Sequence, residues 1–175
     1  MEFRLSKCIL REWRIEDAYA LAKHADNPKI AANLRDGFPS PYTVREAENW
    51  INKVAFFGPH IFLAIEINKE AAGGIGIIFK DDVYRRNAEI GYWLSEKYWN
   101  LGIMTEAVDT LVDYTFKNYD IIRISASIFE YNRASMRILE KCGFRKEAIH
   151  RQAVVKNGKV IDEHVWVLFK PSIVK

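Results

Sequence analysis

Cysteine is scarce: two occur in 175 residues, Cys8 and Cys142, too few for a disulfide framework or a Cys-based zinc site. Long apolar runs are missing as well. No stretch approaches the ~18 apolar residues of a membrane span. The opening, Met1 to Leu10, alternates charge and apolarity, where a signal peptide carries a continuous apolar segment. A soluble, cytoplasmic chain with reduced thiols and no membrane partner is therefore expected. His24, His60, His150 and His164 are scattered along the chain, so no metal site is expected either. One sign of charge is only slightly in excess, 26 Lys+Arg against 23 Asp+Glu for a formal net charge of +3. That balance assists binding of an anionic, phosphate-rich ligand. It lacks the basic stripe and interleaved aromatics of a nucleic-acid surface, and no direct nucleic-acid partner is expected.

What is present suits one packed domain covering residues 1–175. Hydrophobic residues make up 49% and aromatics 13%, enough for a core with large side chains left to line pockets. A first strand is predicted near residues 8–11, then a helix near 17–24. Pro28, Gly37, Pro39 and Pro41 mark residues 26–42 as irregular or partly helical. Thr43 with Glu46 three residues later is a capping-box signature for a helix to about residue 54. Residues 61–67 alternate as a strand, residues 68–70 turn, and residues 72–79 form a second strand whose Gly73, Gly74 and Gly76 permit close backbone approach. Residues 87–94 form the fourth strand, and a long helix starts near residue 104. Residues 122–129 form the fifth strand, with a short helix over 132–142 between the Asn132 N-cap and the Gly143 stop. Asn157-Gly158 then joins a hairpin of strands near 145–156 and 164–169. This order is mixed α and β, and it implies a twisted, mostly antiparallel sheet with helices on both faces.

The most informative stretch is residues 88–107, AEIGYWLSEKYWNLGIMTEA. A strand ends, a loop turns through Trp99–Gly102, and a helix begins. The first N–H groups of a helix have no internal partners, and the helix dipole adds positive potential there. A glycine at 102 lets phosphate oxygens reach those amides, a geometry suited to a pyrophosphate. Neither a Walker A triplet nor G-x-G-x-x-G occurs.

This stretch resembles the acyl-CoA pyrophosphate loop of the GNAT acetyltransferases, usually Q/R-x-x-G-x-G/A, with Trp99, Asn100, Leu101, Gly102, Ile103 and Met104 at the matching positions. Trp99 and Met104 depart from that form, yet with Thr105-Glu106-Ala107 they resemble the RimJ/RimL branch, which often reads YWGKGIMTEA. Asn100 replaces a glycine of that branch, and asparagine tolerates positive φ better than most residues. NLRDGFPSPY over 33–42, Ala47-Glu48-Asn49-Trp50-Ile51, the N-x-x-S of Asn132 to Ser135, Glu140-Lys141-Cys142-Gly143-Phe144, and Asp162 with Trp166 resemble further segments of the same branch, in the same order.

The resemblance implies a mixed α/β (α+β) GNAT fold whose twisted, mostly antiparallel sheet splays centrally between strands four and five. It implies acetyl-CoA as acetyl donor, without a metal. The pantetheine arm would pair with backbone near Trp93 and Leu94, and the pyrophosphate would sit at residues 99–105, on the amides of Asn100, Leu101, Gly102, Ile103, Met104 and Thr105. The acceptor would be a primary amine, on a protein N-terminus or a small molecule. Glu89 is the first candidate for the base, alongside the plainer reading of a structural strand carboxylate, with Asp162, Glu163 and His164 in reserve. Leu139 stands where many members have a tyrosine acid. Ser135 is the candidate donor to the leaving sulfur, or simply a first-turn cap. Asn132 caps its helix and is a candidate second contact for cofactor or substrate. Asn33, Arg35, Phe38 and Tyr42 are candidates for the amine pocket, or for packing of an irregular loop. A non-catalytic acyl-CoA-binding or regulatory module is the competing function. The chain is expected to be a monomer or homodimer.

Overall fold

A computed structural model describes residues 1–56 and 58–171. Its strands are β1 (Glu2–Arg4), β2 (Ile9–Glu12), β3 (Ile61–Ile67), β4 (Glu70–Phe79), β5 (Asn87–Leu94), β6 (Arg123–Phe129), β7 (Arg145–Lys156) and β8 (Lys159–Phe169). Its helices are α1 (Ala18–Ala25), α2 (Pro28–Ala31), α3 (Val44–Val54), α4 (Ile103–Asn118) and α5 (Arg133–Lys141). The eight strands form one mixed, mostly antiparallel sheet in the order β1-β2-β3-β4-β5-β6-β8-β7. The short strand β1 was not expected; it pairs with β2 from Glu2↔Arg11 to Arg4↔Ile9. The expected fourth and fifth strands are thus β5 and β6. The described residues fall into two compact units, one of residues 1–76 with 91–107, the other of residues 77–90 with those from Val108 onward.

In the first unit, the β3–β4 turn is made by Asn68 and Lys69, at φ 52 and 66. Two successive left-handed residues define the turn whose twist matches a hairpin. Thr43 accepts from the Glu46 amide at 3.2 Å, starting α3 as the sequence predicts. The short α2 sits inside the segment expected to be irregular. Asn27 accepts from the Lys29 amide at 2.8 Å, with Pro28 at the first helical position. Helices α1 and α3 share an apolar cluster of Leu21, Ala22, Ala47 and Ile51 that also takes in Tyr42. Arg11, buried on β2, meets Asp17 through paired bonds of 2.8 and 2.7 Å and Glu66 at 2.5 Å. Two carboxylates thus compensate a guanidinium removed from water.

The expected close approach occurs at all three glycines, with a Cβ at Gly76 lying 2.8 Å from the Ile61 carbonyl oxygen. A Cβ at Gly73 would lie 2.7 Å from the Trp93 carbonyl oxygen, and one at Gly74 2.9 Å from Trp93 Nε1. Only glycine lets the Trp93 backbone and indole lie this near to β4.

In the second unit, β5 and β6 pair in parallel from Asn87↔Arg123 to Glu89↔Ser125, where the register ends. β6 pairs antiparallel with β8 along its whole length, Arg123↔Phe169 to Phe129↔Glu163. The β7–β8 hairpin turns at Asn157 and Gly158, with φ 50 and 73, as their dipeptide predicts. β8 begins at Lys159, earlier than the expected residue 164. Asn132 accepts from the Ser135 amide at 3.1 Å to start α5. Gly143, at φ 81, stops it, and the Phe144 amide donates back to the Leu139 carbonyl at 3.0 Å. Leu111, Ile124, Ala126 and Leu139 are fully buried in this unit.

Candidate functional site

The loop singled out by the sequence leaves β5 at Leu94 and is braced at its base. Trp99 does not project freely. Its indole Nε1 donates to the Leu94 carbonyl at 2.7 Å, so the first and last residues of the turn are tied together. Between them lies a single 3-10 turn, Glu96–Tyr98. The tip then runs through Asn100 at φ 61 and Gly102 at φ 82 into α4. Asn100 adopts the left-handed backbone that glycine would otherwise supply, which asparagine tolerates well. A Cβ at Gly102 would meet nothing within 4 Å among the described residues. The approach to the start of α4 is open at this position, while Ile103 and Met104 turn inward and are buried. Helix α4 starts at Ile103, one residue before the expected position. Its first-turn amides lie where intrahelical partners cannot reach them. Lys7 donates to the Leu101 carbonyl at 2.9 Å, placing an ammonium group beside the tip. The Ser6 amide and hydroxyl hold Glu106 at 3.0 and 2.5 Å. These features fit a phosphate-bearing ligand: open access at a glycine, a helix N-terminus and a neighbouring cation.

A second constellation, absent from the sequence-based expectations, sits at the foot of this loop. His24, buried on α1, has Nδ1 3.0 Å from Ser95 Oγ and Nε2 2.9 Å from Glu70 Oε2. The partners lie 71 and 46 residues away in the chain, so no local spacing announces them. Lys23 and His24 hold the Glu70 carboxyl down at about 2, and burial lowers His24 against the opposing pull of Glu70. Glu96 is held in turn by Asn27 at 2.7 Å and by Lys29, which keep its carboxyl below the ordinary range. A cavity of about 420 Å³ opens here, lined by Lys23, His24, Asn27, Ser95, Glu96 and Lys97 among others.

The expected amine-pocket residues divide. Tyr42 is buried in the α1–α3 cluster, its amide donating to Asp26 at 2.9 Å, and burial pushes its phenol up to about 12. Phe38 bridges Tyr42 and Trp93, with ring centroids 4.8 and 5.7 Å away. Asn33 donates to the Lys29 carbonyl at 2.9 Å, and Arg35 is exposed.

In the second unit, Glu89 is half-buried on β5 and accepts from Lys80 Nζ at 2.9 Å. Ser135 is buried in the first turn of α5, where its amide takes the Asn132 cap. Asp162 accepts from Arg151 at 2.6 Å and the Gln152 amide at 2.8 Å, which lower its carboxyl. Glu163 lies 3.5 Å from His150. His164 is buried, with Nδ1 lacking a partner among the described residues, and burial lowers its imidazole. Both cysteines are buried and neither forms a disulfide. Burial first, with Glu106 or Asp109 adding to it, pushes Cys8 up to about 11 and Cys142 up to about 12. Neither is a nucleophile near neutral pH. Among the described residues no His/Cys/Asp/Glu group suits a metal ion, and no helix is long and apolar enough to cross a membrane.

Comparison with known proteins agrees with this geometry. The family described as Acetyltransferase (GNAT) domain matches residues 7–145. A Bacillus subtilis protein named "Uncharacterized N-acetyltransferase YoaA" is 39% identical over 103 residues, 59% of this chain and 58% of that protein. The alignment thus spans little more than half of that relative. The "[Ribosomal protein uS5]-alanine N-acetyltransferase" of Escherichia coli is 24% identical over 164 residues, 91% of this chain and 83% of that one. Among solved structures, a RimL ribosomal L7/L12 alpha-N-protein acetyltransferase in complex with coenzyme A superposes with a TM-score of 0.86 at 21% identity, covering 97% of this chain and 98% of that one.

Proposed function

This chain belongs to the GNAT acetyltransferase family, and from that premise we propose that it transfers the acetyl group of acetyl-CoA directly to a primary amine, foremost the α-amino group of a protein N-terminus. The observation that carries the reading is the loop before α4, with Asn100 and Gly102 left-handed and the space at Gly102 open. Asn100, Leu101, Gly102, Ile103, Met104 and Thr105 would present backbone amides to the pyrophosphate, and Lys7 would add positive charge beside them. Trp93 and Leu94 would pair with the pantetheine arm. The Leu94 carbonyl accepts the Trp99 indole at 2.7 Å, so the backbone at this point is held in place. The relative that acts on ribosomal protein uS5 and the structural neighbour that acts on L7/L12 favour a protein N-terminus, with small-molecule amines as the other class.

In the reaction, the amine nitrogen forms a bond to the thioester carbonyl carbon. The carbon–sulfur bond breaks with its electron pair on sulfur, and the amine gives up a proton. Glu89 is the proposed proton acceptor. Its half-buried carboxylate accepts from Lys80 Nζ at 2.9 Å. Ser135 is the proposed donor to the departing sulfur, and Asn132 positions it by capping the same turn.

The test is thiol release from acetyl-CoA with N-terminal peptides, polyamines and aminoglycosides as acceptors. Turnover on one acceptor class, reduced about 100-fold by Glu89→Gln as removal of a general base does, supports the assignment. Turnover untouched by Glu89→Gln and Ser135→Ala removes both from the mechanism. Tight acetyl-CoA binding without turnover on any acceptor favours the non-catalytic binding module.

A further inference from the structure

Ser95 occupies the N-cap of the 3-10 turn Glu96–Tyr98, yet its side chain makes no cap hydrogen bond there. Serine is among the best capping residues, so the hydroxyl is diverted from its usual local partner. It meets His24 Nδ1 instead, at 3.0 Å. All three polar groups of Ser95 are fixed to different elements. The amide donates to Ala72 on β4 at 2.8 Å, the carbonyl accepts from Tyr98 at 3.0 Å, and the hydroxyl meets His24 on α1. Glu70 completes the chain by accepting from His24 Nε2 at 2.9 Å. A carboxylate only accepts, so Nε2 carries the hydrogen, Nδ1 is the acceptor, and Ser95 Oγ–H is the donor. The next residue, Glu96, is tied to Asn27 and Lys29. The loop is thus anchored at its two residues nearest β5, while its tip from Asn100 to Gly102 is exposed.

We propose that His24 is a positioning residue for acetyl-CoA binding: oriented by Glu70, it fixes Ser95 and thereby the direction in which the loop presents its tip. The proposal rests on the acetyl-CoA reading of that loop. His24 touches no reacting atom in this scheme, so it acts on cofactor affinity and leaves the chemical step alone. The relay also senses acid. Lys23 on α1, Glu70 on β4, and Lys97 and Tyr98 on the 3-10 turn face the imidazole. Burial, with Lys97 and Lys23, keeps the ring neutral to lower pH than usual, against Glu70. The relay therefore keeps this direction above the ordinary histidine range and reverses as pH falls through the lowered value. There Nδ1 gains a hydrogen, and the Ser95 hydroxyl must turn from donating to accepting, which changes how it is held.

The experiment measures acetyl-CoA KM, Kd and kcat across pH for wild type, Ser95→Ala, His24→Ala and His24→Asn. The asparagine amide oxygen stands near the place of Nδ1 but does not titrate. Ser95→Ala and His24→Ala are expected to raise KM and Kd about tenfold, the usual weight of one buried hydrogen bond, with kcat at saturation within about twofold. Wild-type KM is expected to climb in acid, and His24→Asn to keep near-wild-type affinity with a flat acid profile. A fall in kcat at unchanged KM, or affinity indifferent to all three changes, overturns the proposal. Amide hydrogen exchange over residues 95–102 separates this from the functional reading. If wild type binds no acetyl-CoA, the functional reading fails. Faster exchange in Ser95→Ala and His24→Ala then still supports the relay, and unchanged exchange overturns it.

Discussion

Replacing Gly102 by alanine separates the two reasons a glycine stands there. At φ 82 an L-residue is strained, by roughly 1–2 kcal/mol for the left-handed region. Nothing lies within 4 Å of the added Cβ, so no steric cost in the free protein adds to this. For a domain of this size each kcal/mol lowers Tm by about 2–4 °C, so a fall of about 2–8 °C is expected by differential scanning calorimetry. The ligand sees a larger change, because the methyl group fills the space through which a phosphate oxygen would approach the α4 amides. Losing one charge-assisted hydrogen bond weakens binding by about 1.5–3 kcal/mol, roughly 10- to 150-fold in Kd, readable by titrating acetyl-CoA calorimetrically. Asn100→Gly is the control, since it relieves the positive φ without adding atoms. It is expected to hold or slightly raise Tm and leave Kd unchanged. Gly102→Ala with the expected loss of Tm and wild-type affinity would refute the placement of the pyrophosphate at this tip.

Three further outcomes are expected. Asp17→Asn breaks the charge match around buried Arg11, whose remaining ionic partner is Glu66; a loss of about 3 kcal/mol corresponds to about 6–12 °C in Tm. Gly73→Ala puts a methyl group 2.7 Å from a backbone oxygen, and overpacking of this kind costs about 1–3 kcal/mol, measured as a shift of the urea midpoint without a change in slope. The thiols of Cys8 and Cys142, buried and raised to about 11 and 12, are expected to ignore an aromatic disulfide reagent at pH 8 and to react stoichiometrically once the chain is denatured.

The features legible in the sequence were those set by neighbours in the chain. Asn157-Gly158, Thr43 with Glu46, and Asn132 with Gly143 each act over a few residues, and each stands where its local chemistry requires. The loop at residues 99–105 is legible through its resemblance to the acyl-CoA loop of the family, and Asn100 takes the positive φ that asparagine tolerates. Strand β1 was missed because three residues carry too little periodicity to reveal pairing with β2. Trp99 is legible as part of the RimJ/RimL-like loop, but the bond from its indole to the Leu94 carbonyl depends on how the turn folds back. Tyr42 is a candidate for the pocket or for packing of its loop, and its burial in the α1–α3 cluster is a tertiary outcome. The Glu70–His24–Ser95 relay was invisible because a lone histidine carries no pattern, and its partners meet it only after α1, β4 and β5 have assembled.

Trp93 with Gly73 and Gly74 has a meaning for how this chain can change over generations. The Trp93 carbonyl oxygen occupies the volume that a side chain at 73 would need, and the Trp93 indole the volume that one at 74 would need. The backbone oxygen stays whatever residue stands at 93, so position 73 gains no room from a change there. A side chain at 74 gains room only after 93 has become smaller, and a return to tryptophan is then blocked. Descendants of this sequence should therefore change 93 before 74, and that order records the path taken.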